Sequence, residues 1–518
     1  MSSIKKLAGQ TMWYGVSSIV ARFLFYLLTP YFTLKLSISG YGDMSLMYAA
    51  IPFLNVIFTY GIETAYFRFA TKEEYKKDIY NTAIISILCS TVFLTILLII
   101  MRSSIAHLLR LDNHPEFITF SALIIALDTL ATLPFAKLRL DQRPRKYALI
   151  RIATIILQIA ITYFLLSVCP RIAKENQNGF IAAFYDPGYG VGYIIFANLV
   201  ASFFALLLLH KEFLSFRFKF NRKVWIAMMV YSLPLIIAGF GGMINETFDR
   251  IMLSWLAPVD NIAAAKDQVA IYSACYKLSI LITLFVQAFR MGAEPFFFKQ
   301  AEGQNPQKIY ARVMKFFVIT ITVMFLVVSL YIDIWKYFLS TDPDKLKIYW
   351  TGLKVVPILL LANMFLGIYY NLSIWYKLTN KTLAGAYITL IGALLTLVVN
   401  FIFIPYFGYM ACAWATFLCY FSMMVLSFVW GQKDYKIPYA WKKLSAYIII
   451  VVLLFLIHRA FTHFFISPVS NFASATFLLF FYIWFLLRVE WREFQKLPVI
   501  GRYFKGGKIW AQKNGINK

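Results

Sequence analysis

Apolar stretches of twenty or more residues recur along the whole chain, and they constrain its fold more than any other feature. Each stretch is long enough to cross a hydrocarbon core of about 30 Å as an α-helix. The composition agrees, since 61% of the 518 residues are hydrophobic, 14% are charged and the mean hydropathy is +0.69. A soluble protein carries about 25% charged residues. The sequence therefore predicts an all-α integral membrane protein.

The apolar stretches predict about fourteen transmembrane helices, which we number as spans 1 to 14. The first ten residues, "MSSIKKLAGQ", lead into an apolar run with no small-residue cleavage site, so a retained span is expected there rather than a signal peptide. The predicted spans lie at about 11–36, 43–66, 79–101, 116–136, 147–169, 189–209, 224–256, 268–292, 311–331, 353–376, 382–403, 408–430, 444–462 and 471–487.

The basic residues alternate between loops, which predicts the topology. With the N-terminus on the cytoplasmic side, 34 of the 50 lysine and arginine residues fall on that side and 10 fall on the opposite side. This positive-inside bias predicts a multi-pass protein with both termini in the cytoplasm. It also explains the net charge of +26 without a nucleic-acid partner.

Neither side offers room for a soluble catalytic domain, because the longest predicted outer loops, 170–188 and 332–352, are short. The five cysteines are scattered and the five histidines form no zinc-binding helix motif. We therefore expect a protein that is not an enzyme and that has no metal or cofactor.

A weak internal repeat divides the chain. Residues 41–68, "YGDMSLMYAAIPFLNVIFTYGIETAYFR", align without a gap with 272–299, "YSACYKLSILITLFVQAFRMGAEPFFFK". "KLRLDQRPRKY" at 137–147 similarly matches "KLTNKTLAGAY" at 377–387. Six spans separate the copies, so both have the same orientation and a pseudo-twofold axis along the membrane normal is expected, as in transporters. The predicted parts are an N-lobe, a C-lobe, and two extra helices with a basic cytoplasmic tail, at 1–212, 222–430 and 431–518.

The sequence resembles the superfamily of multidrug, oligosaccharidyl-lipid and polysaccharide exporters, and within it the polysaccharide transporter branch of O-antigen type flippases. The stretches that carry the resemblance are "ARFLFYLLTPYFTLKLSISGYGDMSL", "YGIETAYFRF", "DRIMLSWL", "VAIYSACYKLSILITLFVQAFRMGAEPFFFK" and "PYFGYMACAWATFLCYF". The resemblance implies two six-helix bundles that face a central cavity and work by alternating access. It also implies a polyprenyl-diphosphate-linked oligosaccharide as cargo, carried from the cytoplasmic to the outer leaflet.

Basic residues inside the spans are candidate ligands for the diphosphate, because a charge in the membrane is costly unless it has a function or a partner. Arg22 in span 1 and Lys277 in span 8 are the strongest candidates, since neither has an acid three or four residues away on its own helix. Both could instead pair with an acid on another helix, for example Asp128 in span 4. Arg250 and Arg290 are further candidates, although Arg290 lies close enough to a span end to reach the headgroups.

Acidic residues inside the spans are candidates for gating or ion coupling. Glu246, Asp249 and Arg250 form a cluster at the outer end of span 7, where Glu246 and Arg250 are four residues apart and can pair. The cluster either holds the helix end or lines a gate. Glu63 and Glu294 occupy equivalent repeat positions at the cytoplasmic ends of spans 2 and 8, which is consistent with a gate or with packing. Asp128 and Glu63 are the candidates for ion coupling.

Three classes of function follow. The first is a flippase for lipid-linked oligosaccharide in surface polysaccharide assembly, driven by H+, Na+ or the membrane potential, with membrane lipids and assembly enzymes as partners; a lipid II type flippase belongs to the same class. The second is a cation-coupled multidrug exporter of the same superfamily. Such exporters usually have twelve spans and an acid in span 1, where this chain has Arg22. The third, a membrane polymerase or ligase, would need a large outer loop that this sequence lacks.

Overall fold

The protein is all-α over the part that the structure, a computed structural model, describes. This part comprises residues 19–20, 22–70, 72–301, 303–379, 381–465 and 467–495, without the side chains of Glu294, Pro295 and Lys299. Within these ranges every regular element is a helix, and thirteen helices are long and apolar enough to cross a membrane. The predicted all-α membrane fold is thus confirmed. The first part of span 1, residues 11–18, and residue 21 lie outside the described ranges, whereas the rest of the span is described and includes the helix Thr29–Lys35.

The thirteen long helices match spans 2 to 14 in order. They are Ile38–Thr59, Ile79–Ile100, Glu116–Leu140, Pro144–Glu175, Pro187–Leu208, Arg222–Leu256, Ile262–Phe298, Pro306–Ser329, Leu353–Leu378, Thr382–Phe407, Tyr409–Asp434, Trp441–Phe464 and Pro468–Val489. Short helices connect or extend them, including Ile62–Ala70, Arg102–Leu108, Phe180–Phe184, His210–Phe213, Ile332–Trp335, Pro343–Trp350 and Trp491–Phe494.

Side-chain caps explain why several spans begin earlier than hydropathy predicts. The Ser37 hydroxyl accepts a hydrogen bond from the amide of Gly40 at 3.0 Å, and span 2 starts at Ile38. The Asn261 side chain accepts from the amide of Ala264 at 2.8 Å, so span 8 starts at Ile262. A cap satisfies an otherwise unpaired amide of the first turn, and a hydropathy window does not detect this contribution.

The described residues up to Pro306, together with Lys336–Lys436, form one compact unit. Within it, spans 8 and 10 are the most enclosed, because 72% of each apolar window is buried, whereas the windows of spans 5 and 7 are 22% buried. Span 8 contacts spans 2, 7 and 10, and span 2 contacts span 7 as well. Helices of both predicted lobes therefore pack around span 8. The pseudo-twofold axis between the lobes stays a prediction.

A second compact unit contains Gln307–Trp335 and the described residues from Ile437 onward. It holds spans 9, 13 and 14, although the repeat places span 9 in the C-lobe. Its best-defined feature is Glu490, which follows span 14 and is only 2% exposed. The Glu490 carboxylate accepts hydrogen bonds from Lys443 Nζ at 2.7 Å, Tyr447 Oη at 2.7 Å and Lys315 Nζ at 3.1 Å. The carboxylate thus ties span 14 to spans 9 and 13.

Span 2 is broken at a position where its repeat partner is not. Tyr60 and Gly61 have φ angles of 34° and 70°, and a separate helix, Ile62–Ala70, follows them. A Cβ atom at Gly61 would lie 3.2 Å from Leu235 Cβ of span 7. Gly292, the equivalent position in span 8, lies within a continuous helix, and a Cβ atom there would have no neighbour within 4 Å. The two copies of the repeat therefore differ in conformation where the sequence predicts equivalence.

Candidate functional site

Two adjoining cavities of about 730 and 450 Å³ lie among spans of the first unit, and we call the two together the central cavity. They adjoin because they share five lining residues, Arg22, Glu246, Tyr276, Thr283 and Gln287. The larger part is lined mainly from spans 7, 8 and 10, and the smaller part from spans 1 and 8. Each volume is within the range of about 300–1,000 Å³ that small-molecule sites occupy.

Arg22 and Lys277 both line the smaller part of the central cavity, although they come from different predicted lobes. The Arg22 guanidinium donates a hydrogen bond from Nη1 to Gln287 Oε1 at 2.7 Å, and its side chain is exposed to the cavity. Lys277 is partly buried. Among the described side chains, no carboxylate lies within ion-pair distance of either cation. Asp128, the partner considered from the sequence, lines a different cavity.

Arg290 and Glu246 also face the central cavity. Arg290 lines the larger part, and its guanidinium carbon lies 4.7 Å from the ring centre of Tyr370, a cation–π contact. Glu246 lines both parts and is exposed to them. The cavity therefore presents three basic side chains and one acidic side chain from the described part of the chain.

Arg250 does not belong to this cavity lining, and its acidic partner is not the one that helix spacing indicates. Its Nη1 atom lies 3.1 Å from Asp249 Oδ1 and donates to the backbone oxygen of Glu246 at 2.9 Å. The other Asp249 oxygen accepts from the Tyr272 hydroxyl at 2.6 Å, and the Arg250 guanidinium lies over Tyr276 at 4.6 Å. Asp249 is 3% exposed and Arg250 is 9% exposed. The pair is a buried structural contact, and it leaves the Glu246 carboxylate to the cavity.

Glu63 and Asp128 come together in a separate cavity of about 320 Å³, which we call the Asp128 pocket. Glu63 forms an ion pair with Arg139 there. Its lining residues are Asn55, Thr59, Glu63, Asp128, Ala131, Thr132, Phe135, Arg139, Arg151, Thr154 and Ala205, and none of them lines the central cavity. The side chain of Glu294 lies outside the described part of the chain, so its predicted role stays a prediction.

Two sets of polar contacts lie at helix ends on the predicted outer side. Lys345 donates to the backbone oxygens of Leu34 and Leu36 at 2.8 Å each, and to that of Thr33 at 3.3 Å. Lys266 of span 8 lies 2.8 Å from the carboxylate of Asp43 in span 2. The first set ties the helix Pro343–Trp350 to the end of span 1, and the second ties span 8 to span 2.

Several uncharged residues of the central cavity did not stand out from the sequence. Tyr276, Tyr370 and Tyr420 line it together with the amides of Asn245 and Gln287. Aromatic residues are frequent throughout the spans, at 18% of the chain, so they gave no distinctive signal. Asn245 and Gln287 did give a sequence signal, because an uncharged polar group inside an apolar span needs a hydrogen-bond partner or water.

Comparison with known proteins identifies the family. The model of a family described as polysaccharide biosynthesis protein matches residues 7–301, more than half of the chain, and a second model, MatE, matches residues 234–402. No curated protein gave a significant match.

Solved structures share the fold at low sequence identity. The lipid II flippase MurJ in an inward closed conformation has a TM-score of 0.65 and 14% identity, over 92% of this chain and 98% of that one. A MOP superfamily transporter from Pyrococcus furiosus has a TM-score of 0.56 and 13% identity, over 85% and 96% of the two chains. An outward-facing multidrug resistance MATE family transporter has a TM-score of 0.52 and 13% identity, over 86% and 96%. Together with the all-α membrane fold, the family match shows that this chain belongs to the polysaccharide biosynthesis protein family, within the MOP superfamily of membrane transporters.

Proposed function

We propose that this protein is a flippase that moves a polyprenyl-diphosphate-linked oligosaccharide from the cytoplasmic to the outer leaflet of the bacterial inner membrane, for surface polysaccharide assembly. One observation carries the proposal. Arg22 and Lys277 line one cavity, and no described carboxylate pairs with either. Cations kept inside a membrane bundle without a neutralising partner favour an anionic ligand, and hydrogen bonds between such cations and phosphate oxygens are strong.

In the proposed cycle, Arg22 and Lys277 hold the diphosphate in the smaller part of the central cavity. The first sugars occupy the larger part, where Tyr276, Tyr370 and the amide of Gln287 supply stacking surfaces and hydrogen bonds. The polyprenyl tail stays in lipid. Arg290 stabilises the negative charge of the diphosphate, and Glu246 accepts hydrogen bonds from sugar hydroxyl groups. Opening on the outer side requires the contacts of Lys345 and of the Asp43–Lys266 pair to separate.

The proposal places both termini in the cytoplasm. It takes an ion gradient or the membrane potential as the energy source and polysaccharide assembly enzymes as partners. The loop charges support the orientation through the positive-inside rule.

The proposal is tested in the native cell by depleting this protein and analysing the lipids. A polyprenyl-diphosphate oligosaccharide should accumulate on the cytoplasmic side while surface polysaccharide is lost, and mass spectrometry would then identify the sugars. If no such lipid accumulates and sensitivity to cationic drugs rises, the protein is a drug exporter.

Variants of the two cations test the site. Hydrogen bonds to charged groups contribute about 1.5–3 kcal/mol, so Arg22→Gln or Lys277→Gln should lower transport about 10- to 100-fold at limiting cargo. Lys354→Gln is the matched control, since Lys354 is a span cation that lines neither part of the cavity and lies over Tyr409 at 5.6 Å. Wild-type transport by both Arg22→Ala and Lys277→Ala, each normally expressed, would refute the site.

A lipid II type flippase is the second candidate. The MurJ fold supports it, with a TM-score of 0.65 over 92% of this chain. Accumulation of lipid II in depleted cells, with loss of cell-wall synthesis rather than of surface polysaccharide, would favour this candidate.

A further inference from the structure

Glu246 is the one acidic side chain in the described lining of the central cavity, and it faces both parts of that cavity. It is exposed there, and no described cation lies within ion-pair distance of its carboxylate. Arg250, four residues further along the helix, takes only the backbone oxygen of Glu246, at 2.9 Å, and pairs with Asp249 instead. A carboxylate inside a membrane bundle is costly unless it has a partner or a function. Because the described fold supplies no partner, we looked for one in the cargo.

The neighbouring residue, Asn245, fixes the position of Glu246 without sharing its role. Asn245 is 6% exposed, and its Nδ2 atom donates to the backbone oxygen of Thr389 in span 11 at 3.1 Å. The hydroxyl of Tyr420 in span 12 donates to the backbone oxygen of Asn245 at 3.2 Å. These two contacts hold the turn of span 7 that carries Glu246, so the carboxylate has a defined place in the cavity.

The residues that line both parts of the cavity form what we call the junction, and their hydrogen-bond roles follow from the contacts. The Arg22 guanidinium has only donors, so Gln287 must present Oε1 to it, at 2.7 Å, and keeps the N–H groups of Nε2 for the cavity. Thr283 donates its hydroxyl proton to the backbone oxygen of Ile280 at 2.8 Å, so only its oxygen lone pairs remain. Glu246 can only accept. The junction therefore suits a ligand that donates several hydrogen bonds and accepts from Gln287.

The charges of the cavity balance a diphosphate and no further anion. The described lining holds three basic side chains and Glu246, a net charge of +2. A diphosphate esterified at both ends carries two negative charges, so its binding neutralises the lining. A carboxylate on the adjoining sugar would then be an uncompensated charge close to Glu246, and like charges placed together in a binding site strongly disfavour the complex.

We propose that Glu246 determines which sugar is accepted next to the diphosphate. It admits a neutral sugar whose hydroxyl or amide groups donate hydrogen bonds, and it excludes a sugar that bears a carboxylate. This inference rests on the proposed function. The first sugar is bonded directly to the diphosphate, so it lies at the junction when Arg22 and Lys277 hold the phosphates. There its O–H and N–H groups donate to Glu246 and Thr283, and one of its oxygens accepts from Gln287.

The experiment compares two probes in liposomes that contain the full chain. Both probes are polyprenyl diphosphates that carry a disaccharide with an uncharged fluorescent label, and they differ only in the first sugar. This sugar is a neutral hexose in one probe and the corresponding hexuronic acid in the other. At limiting probe, the wild-type protein should move the neutral probe about 10- to 100-fold faster, because Glu246 repels the uronic acid.

Two substitutions at Glu246 separate its charge from its size. Glutamine has the size of glutamate without the charge, so Glu246→Gln should reduce the ratio of the two rates to below about threefold. Glu246→Asp keeps the charge and should preserve most of the discrimination. Asp260→Asn is the matched control, because it removes one acidic charge from an exposed position that lines neither part of the cavity. It should keep the wild-type ratio.

The outcomes separate this inference from the proposed function. Equal wild-type rates for the two probes would overturn the inference, and so would a wild-type ratio that Glu246→Gln retains; in both cases transport of the cargo stands. If the wild-type protein moves neither probe, the proposed function fails for this cargo. Binding of the two sugars as farnesyl diphosphate analogues to the detergent-solubilised protein then decides on Glu246 alone. Tighter binding of the neutral analogue that is lost in Glu246→Gln supports the inference, and equal binding of the two analogues, or binding of neither, overturns it.

Discussion

Replacing Glu490 with glutamine tests most directly whether this carboxylate stabilises the second unit. The carboxylate is 2% exposed and accepts three hydrogen bonds, from Lys443 and Tyr447 at 2.7 Å and from Lys315 at 3.1 Å. Removing one member of a buried ion pair costs about 3–5 kcal/mol, because the remaining charge loses its counter-ion. Lys443 is 39% exposed and Lys315 keeps Glu493 at 3.8 Å, so the lower end of that range applies, about 3 kcal/mol.

A loss of about 3 kcal/mol corresponds to a roughly 100-fold larger population of the locally opened state. Amide hydrogen exchange read by mass spectrometry should therefore accelerate by about that factor in peptides covering 441–447 and 486–494. Glu73→Gln is the matched control, since the Glu73–Lys76 pair has side chains that are 84% and 61% exposed and exposed pairs contribute little. An acceleration below about fivefold in Glu490→Gln would refute the reasoning, because the buried carboxylate would then contribute no more than a surface pair.

The remaining predictions concern pH and two helix ends. Burial raises the pKa of Glu490, but the hydrogen bonds from its three partners outweigh burial and hold the pKa below the ordinary value of 4.5. Because the pKa is lowered, the ionised carboxylate stabilises the fold fully above pH 4.5, and this stabilisation is lost as the pH falls through the lowered pKa. The difference in thermal stability between the wild type and Glu490→Gln should therefore be constant from pH 6 to 8 and should shrink below pH 4.5. Gly61→Ala should cost about 1–2 kcal/mol and slow transport, because its φ is 70°, whereas Gly292→Ala should be tolerated. Lys345→Met should lose about 1–3 kcal/mol at the end of Thr29–Lys35 and raise labelling of a cysteine placed at Ser37, whereas Lys347→Met, at an exposed position, should not.

Properties that depend on local chemistry could be predicted from the sequence. Apolar length predicted spans 2 to 14 because a helix must satisfy its own backbone in lipid, and the structure has a helix for each of them. Arg22 and Lys277 drew attention because each is an isolated charge in an apolar helix, and the structure places both at one cavity. The resemblance to the exporter superfamily was also confirmed by the matching family models.

Properties that depend on contacts between distant segments could not be predicted. Helix spacing pairs Glu246 with Arg250, but Asp249 is the partner because Tyr272, on another helix, fixes its carboxylate. The repeat predicts equal conformations at Gly61 and Gly292, whereas only Gly61 has a positive φ, at a position packed against Leu235. No single-helix pattern indicated that Asp128 and Arg22 lie in different cavities.

The second unit also constrains how the protein is made. Lys315 and Glu490 are 175 residues apart, and the segments between them include spans 10, 11 and 12 of the first unit. At about 5–20 residues per second, synthesis separates the two partners by roughly 10 to 35 seconds. Span 9 must therefore enter the bilayer before Lys315 has its buried counter-ion. Lys315 stays without this partner, in the bilayer or beside the insertion machinery, until the last span has been inserted. A chain that ends before residue 490 would keep all the charges of its central cavity, but Lys315 in span 9 would still lack the Glu490 carboxylate.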